Sequence, residues 1–490
     1  MHSLSEDRRL IILFRKCIDG ERVNSINAIR NPFTYRIPVI KLAVKELQSA
    51  KFYAILLVLV ALVGIFSLSP VISSLMNDVV IRSTGQISTT PTNVTATSGS
   101  ARDIQVAVNQ VVAAGGIGNV FIPEGTFNFV DVGEPWMTVE IPAGINLFGA
   151  PTERTSGLEV PPQGMNPNDQ VVEWRTILVM PYDVPGDWYN APLWFRITGN
   201  GDPNKPSRFS DIKMVGYKSI NPNSTMIHQG ISIKDVVDFR VDHCCLEHAG
   251  TGGGIPTGGL YCRGLIDHCR LVNPNVEGAP PAYMDGIVGY GVALGRAYGD
   301  VWEDDISKVL GQYTAYTVFV EDCYLSKWRH CIAANNGAHY VIRHSTIEND
   351  FGFGTLDAHG WGVMTDGVIT QVGTRAIELY NCQFLDPYNP DAPQQTLVFL
   401  RGGACIAFNN TVTGYLYFVS ASRESSIEVP KCFPHDIYVW NNKLPSGVEP
   451  VHTITNEKGT PEEGVDYFLH PPHTFDYKPY PYPLTLETTP

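Results

Sequence analysis

The sequence predicts a right-handed parallel β-helix, an all-β solenoid, and three observations carry that prediction. First, a six-residue phrase recurs. Val241-Asp242-His243-Cys244-Cys245-Leu246 returns as Ile266–Leu271, Val320–Leu325, Ile342–Ile347, Leu379–Phe384, Ala407–Val412 and Val439–Leu444. Second, the fourth positions of these phrases (244, 269, 323, 345, 382, 410 and 442) are spaced by 25, 54, 22, 37, 28 and 32 residues. Periods of that size mark stacked repeats, and 54 fits two coils or one coil with a large insertion. Third, each phrase is apolar at its ends and carries His, Asp or Asn followed by Cys, Ser or Asn at its centre. Alternation makes each phrase two short strands joined by a tight turn, with the flanking apolar residues inward. Asn in such a turn tolerates the left-handed conformation and bonds nearby backbone. Stacked copies then build an internal ladder of Cys, Ser and Asn.

The elements follow in chain order. Residues 1–51 carry ten Lys/Arg and five Asp/Glu, residues 52–76 carry no charge, and the remainder holds 25 basic and 44 acidic residues. Phe52–Met76 is long and apolar enough to span a bilayer, with Pro70 near its end. Fifty-one preceding residues exceed a signal-peptide n-region. Lys41, Lys45 and Lys51 precede the span and only Arg82 follows it closely, so the positive-inside rule places the N-terminus in the cytoplasm and residues 77–490 outside. The expectation is a single-pass protein of the cell membrane with an extracellular β-helix. Residues 1–51 are read as a cytoplasmic segment and 77–100 as a Ser/Thr-rich stalk. The β-helix is assigned to 101–455, and a Pro/Tyr-rich tail, 456–490, is expected to pack on it. Asn93, Asn223 and Asn409 each head a glycosylation sequon.

Ser100 and Asp103 form a capping box, and Ile104, Val108, Val111 and Val112 then lie on one helical face that Gly115-Gly116 ends. This helix is expected to cover the open N-terminal end of the solenoid. Gly118–Phe127 follows as two short strands. Further inward strands are read around Ile141, at Ile145–Gly149, Thr176–Met180 and Leu193–Ile197. Pro/Gly/Asp-rich excursions at 150–170 and 181–192 separate them. The longest interruption, 273–312, is expected to wall one face of the solenoid.

A helix followed by "NVFIPEGTFNF" resembles the opening of proteins of the pectate lyase-like (pectin lyase fold) β-helix superfamily. "FRVDHCCLEH" and "GLIDHCRLVN" resemble the strand that carries "WIDH" in pectate lyases. The run "AHYVIRHSTIEND…LDAHGWG…GTRAIELYNCQF" and the Pro/Tyr-rich ending resemble a poorly characterised branch of that superfamily. The resemblance covers about residues 100–490. It implies the β-helix and a function on polysaccharide, either as a lyase or glycoside hydrolase or as a non-catalytic module for glycan binding or envelope structure.

Ten cysteines are present, nine of them beyond the apolar span, and no Cys-x-x-Cys pair occurs. Cys244, Cys269, Cys323 and Cys382 share the ladder position, where free buried thiols are favoured over disulfides. A zinc site is not expected.

The densest polar constellation runs from His330 to Arg375. Alternation puts Asp357 and His359 on one face, and Arg375 is expected on the neighbouring coil. These three are the candidate catalytic residues. His330, His339, Arg343, Trp361, Tyr290 and Trp302 are candidate substrate-binding residues. For a polyuronate lyase, His359 would be the base, Asp357 would orient it and Arg375 would hold the acid group. For a hydrolase, two carboxylates must face each other, and Asp357 and Asp366, with Asp285 or Asp304, are the options. The polygalacturonase tripeptides Asn-Thr-Asp and Arg-Ile-Lys are absent. No metal ligand set is assigned and no cofactor is certain, with Ca2+ the one metal that carboxylates here would suit. The acidic outer part excludes nucleic acid as the partner. The expected partners are a polysaccharide or cell-surface glycan and, through 52–76, the membrane.

Overall fold

The structure is a computed structural model that describes residues 91–156, 168–182, 193–217, 229–247, 254–272, 290–294, 303–349, 354–386, 394–424 and 429–486. The chain divides into two compact units, Met1–Gln86 and Ile87–Pro490, and every described residue belongs to the second. The expected cytoplasmic segment, the span 52–76 and most of the stalk lie outside the described residues. Among the described residues no helix is long and apolar enough to cross a membrane.

Three parallel sheets of 12, 9 and 10 strands run the length of the unit. The chain visits them in rotation. One coil, for example, places His330–Ala334 in the third sheet, His339–Arg343 in the first and Thr346–Glu348 in the second; Leu356–Ala358 then opens the next coil in the third. This is a parallel β-helix, the fold that the sequence resemblance implied. Each sheet is parallel because every strand pairs with its counterpart one coil on.

The repeated phrase is the corner between the first and second sheets. Its first apolar position supplies one inward row, Val241, Ile266, Val320, Ile342, Leu379, Ala407 and Val439, which the strand register aligns. Its last supplies another, Leu246, Leu271, Leu325, Ile347, Phe384 and Val412. All thirteen are at most 3 % exposed. Leu444 is half-buried against the same core. The polar third position is left-handed in every copy: φ is 52° at His243, 51° at His268, 50° at Asp322, 51° at His344, 57° at Asn381, 56° at Asn409 and 51° at Asn441. Asn and Asp, like His, are the side chains that tolerate this region. The turn geometry therefore explains that column without any catalytic role.

The fourth position forms the internal ladder, and its side chains bond turn backbone. Cys269 and Cys323 Sγ each lie 3.5 Å from the carbonyl of Val241 and Ile266, one coil back. Asn410 Nδ2 donates to Leu379 O at 3.0 Å and Asn442 Nδ2 to Ala407 O at 2.9 Å. All nine described cysteines are free and buried. The spacing of 54 proves to be one coil with an insertion, because Asp267 pairs directly with Glu321.

The N-terminal helix, Ala101–Ala113, is capped by Ser100, whose hydroxyl accepts from the Asp103 amide at 3.2 Å. Ala101, Ile104, Ala107, Val108 and Val111 are buried, whereas Val112, expected on that face, is 43 % exposed. Ala107 takes its place because it lies three residues after Ile104 and four before Val111. The stalk boundary also shifts: Thr92–Thr95 is a strand that extends the first sheet beside Gly118–Phe121.

The tail departs from a simple terminal wrap. Tyr467–Phe468 adds a strand to the first sheet. Residues 475–484 then strap its outer face. Tyr477 and Tyr480 hydroxyls both donate to the Glu378 carboxylate, and the Leu484 amide donates to Glu321. Val309 and Leu310, from the long interruption, are buried under the same strap with Phe319 and Val341. The described end of the interruption, 303–312, thus covers the first sheet. Residues 273–289 and 295–302, including Tyr283, Asp285 and Trp302, lie outside the described residues.

Candidate functional site

Leu356 and Ala358 face the core, so Asp357 between them projects from the third sheet. The register pairs Asp357 with Phe399 and Ala358 with Leu400 on the next coil. Arg401 follows Leu400, and its amide donates to Ala358 O at 2.9 Å, which sets Arg401 beside His359. Gly402 makes the close approach there necessary: a Cβ on it would lie 2.3 Å from Gly360 Cα and 2.4 Å from Cys432 O.

Arg401 grips Asp357 with both ends of its fork, Nε to Oδ1 at 3.2 Å and Nη2 to Oδ2 at 2.6 Å. His359 Nε2 lies 2.9 Å from Asp357 Oδ2 and 2.8 Å from Arg401 Nη2. His330 Nε2 lies 3.5 Å from the same carboxylate oxygen, while its Nδ1 contacts Gly354 O. Glu424 closes the far side, accepting from Arg401 Nη1 at 3.2 Å and from the Gly360 amide at 2.9 Å. Arg401 lies over the Phe399 ring, 5.1 Å from its centroid.

Burial by itself raises a carboxyl pKa. Asp357 is fully buried, yet its pKa is held well below the usual range, because hydrogen bonding to His359 and the charges of His330, His359 and Arg401 outweigh desolvation. Burial pushes the His330 pKa down, and the Asp357 charge opposes it. The accessible parts of the cluster are the edges of His359, Arg401 and Glu424, whose side chains are 25 %, 19 % and 17 % exposed. His359 Nδ1 is covered and has no hydrogen-bond partner among the described residues. Trp361, two residues on, is 45 % exposed. It leads into the hairpin Val363–Thr365/Val368–Gln371, which turns at Asp366-Gly367.

Asp357 and His359 therefore come together as the alternation predicted. The guanidinium that joins them is Arg401, not Arg375. Arg375 is 3 % exposed and donates to the Glu303 carbonyl from Nε at 2.9 Å and Nη2 at 2.6 Å. Burial lowers its pKa to about 10, against the opposing charges of Asp436, Asp304 and Glu303. The reason is topological. The strand after Arg375, Ala376–Tyr380, belongs to the first sheet, and the neighbouring coil of the third sheet is Gln394–Leu400.

The other expected binding residues also differ in placement. His339 and Arg343 lie under the C-terminal strap, at most 1 % exposed. His339 bonds Thr317 and Glu378. Arg343 bonds Glu321, Tyr380 and the carbonyls of Tyr480 and Pro481. Both sit on the first sheet, where the tail covers the face they were expected to present. His330 joins the Asp357 cluster but is only 4 % exposed. Tyr290 falls in the third-sheet strand Tyr290–Leu294, with its side chain outside the described residues. Asp304 is exposed and paired with Lys431 at 3.4 Å. Sequence reasoning missed Arg401 and Glu424. The available signal for Arg401 was the alternating run Thr396–Leu400 ahead of Gly402-Gly403. Among the described residues no group of three or more His, Cys, Asp or Glu side chains is arranged to hold a metal ion.

No protein-family model matches the chain, and no curated protein matches it by sequence. Solved structures with a similar course include an alginate lyase from Paenibacillus sp. str. FPU-7, 11 % identical, covering 73 % of this chain and 98 % of its own, with a TM-score of 0.38. PfbA, a surface adhesin of Streptococcus pneumoniae, is 11 % identical over 72 % of this chain and 86 % of its own, with a TM-score of 0.40. The tailspike gp49 of Acinetobacter baumannii bacteriophage Fri1, a capsular polysaccharide depolymerase, is 11 % identical over 72 % and 57 %, with a TM-score of 0.30.

Proposed function

We propose that the chain acts on polysaccharide at the outer face of the third sheet, with His359 as the proton-transfer group. One observation carries this reading. The imidazole is held through Nε2, whose N–H donates to Asp357 Oδ2 at 2.9 Å beside Arg401, while Nδ1 has no partner among the described residues. A buried polar atom without a partner calls for an explanation, and a positioned base is one. The chemistry best matched is β-elimination on a uronate. Nδ1 takes the proton beside the sugar carboxylate, that C–H electron pair forms the double bond, and the glycosidic oxygen leaves from the adjacent carbon with the C–O pair and is protonated from solvent. Asp357 and Arg401 are then positioning residues, and exposed Trp361 offers a ring face to the neighbouring sugar. Because Nδ1 is covered, substrate reaches it only after its cover shifts locally. Two opposed free carboxylates, as inverting or retaining hydrolysis needs, are not presented by Asp357, which Arg401 neutralises.

The same reading anchors the chain through Phe52–Met76, with residues 1–51 cytoplasmic and the β-helix outside. A second reading, a non-catalytic glycan-binding or envelope module, is favoured by the complete burial of Asp357. Incubation with a panel of acidic and neutral polysaccharides, with and without Ca2+, separates the two. Unsaturated products absorbing in the ultraviolet support the lyase, new reducing ends without them support a hydrolase, and binding without any product supports the module.

A further inference from the structure

A second feature lies on the first sheet, away from the third-sheet face. Tyr380, Phe408 and Trp440 occupy one register position on three successive coils. Their rings stack, with centroids 4.8 Å and 4.6 Å apart and planes within 15° and 7°. The ladder then stops. The next strand, Tyr467–Phe468, pairs only with Ile437 and Tyr438 and ends short of the Trp440 position. Tyr477 stands at right angles to the stack, 6.0 Å from Phe408 at 81° and 6.2 Å from Trp440 at 83°. Its hydroxyl is tied to Glu378 at 2.7 Å, so this wall is fixed. Phe408, Trp440, Tyr477, Asp476 and the prolines of the tail enclose a cleft of about 290 Å³.

We propose that this cleft is a non-catalytic subsite for a single pyranose ring of a glycan. The argument is chemical. A pyranose has a flat C–H face and a rim of hydroxyls. The aromatic floor suits the first. The Trp440 indole N–H, which makes no hydrogen bond among the described residues, and the Asp476 carboxylate at the rim, 81 % exposed and paired through Oδ2 with Lys478 at 3.0 Å, suit the second. The volume is at the small end of ligand clefts, about 300–1,000 Å³, enough for a ring and not for a chain segment. Pro471, Pro472 and Pro479 have no N–H to offer an extended peptide, which excludes strand addition here. The kind of ligand rests on the glycan reading above, but the site does not depend on His359.

The test uses the full-length chain in detergent, run through native gels cast with polygalacturonate, alginate or dextran. At least one polymer should retard wild type and His359→Ala equally. Trp440→Ala and Asp476→Asn should each weaken that retardation, Trp440→Ala by about tenfold in Kd, as truncation of an aromatic anchor does. Trp440→Phe, which keeps a flat ring, should retain most of it and controls for folding. Trp440→Ala running as wild type overturns the subsite and leaves the third-sheet reading standing. Loss of retardation in Trp440→Ala with no product from wild type supports the subsite and removes the third-sheet activity. Absence of retardation by all three polymers, or quenching of Trp440 fluorescence by a decaproline peptide and by no oligosaccharide, overturns the sugar assignment.

Discussion

Replacing Arg343 by Met tests the strap that closes the first sheet. The Arg343 side chain is fully buried and its ion-pair partner Glu321 is 2 % exposed. Nη1 donates to Tyr480 O at 2.8 Å and Nη2 to Pro481 O at 2.7 Å, so one guanidinium joins the coil at Glu321 to the tail. Hydrogen bonds to a charged group contribute about 1.5–3 kcal/mol each, and removing one partner of a buried ion pair costs about 3–5 kcal/mol. These overlap, so the expected loss is about 3–5 kcal/mol, or about 10²- to 4 × 10³-fold more open strap. Native-state proteolysis reads that population when opening is fast relative to cleavage. Chymotrypsin is suitable because Tyr480 and Tyr482 are each followed by Pro, leaving cleavage after Phe475 or Tyr477. The cleavage rate in Arg343→Met should rise by at least about a hundredfold. Replacing Glu321 by Leu as well should recover part of the loss, because the orphaned carboxylate is gone. A rate within about threefold of wild type, or a double variant no better than the single, would refute the reasoning.

Other outcomes follow from single sites. Tyr340 is fully buried and its hydroxyl has no partner among the described residues, so Tyr340→Phe should leave stability unchanged or raise it by up to about 1–3 kcal/mol in denaturant unfolding; a loss above about 1 kcal/mol contradicts this. Leu325→Ala should cost about 2–5 kcal/mol, as its side chain lies fully inside the second-sheet row. The Asp357 pKa is depressed in the fold, so its contribution is fully present above the unfolded pKa of about 4 and lost as pH falls toward the folded value. The stability gap between wild type and Asp357→Asn should therefore shrink below about pH 4; a gap that widens there contradicts the sign. Burial and the Arg343 charge lower the His344 pKa to about 4, and its ring stacks 3.6 Å from that of Tyr482. Strap opening should rise as pH falls from about 6.5 to about 4, and His344→Gln should flatten that slope. Protease added to intact cells should digest the β-helix if Phe52–Met76 spans the membrane as proposed; protection under conditions that cleave known external proteins would reverse the orientation.

The corner phrase was legible because all of its information is local. The left-handed residue, the inward ladder and the two apolar anchors lie within six positions, so seven copies reveal them without knowledge of the register between coils. Asp357 and His359 were legible for the same reason, since alternation needs only three residues. Arg401 was not, because its place beside His359 depends on pairing across 44 residues, with a hairpin and two strands of other sheets in between. Arg375 looked adjacent in sequence, but the chain had already turned from the third sheet into the first. Arg343 and His339 carry the residue types of a binding site, yet serve to hold down a tail whose docking no local pattern encodes.

The most direct measurement of the central claim is the rate of product formation by wild type, His359→Ala and Arg375→Ala on whichever polysaccharide wild type cleaves. His359→Ala should lose at least about 10²-fold, the scale of a positioned acid or base, with its fold intact by circular dichroism. Arg375→Ala should retain activity wherever it remains folded, because its guanidinium is held by the Glu303 carbonyl and not by Asp357. His359→Ala turning over at the wild-type rate, or no product from wild type on any substrate in the panel, would contradict that claim.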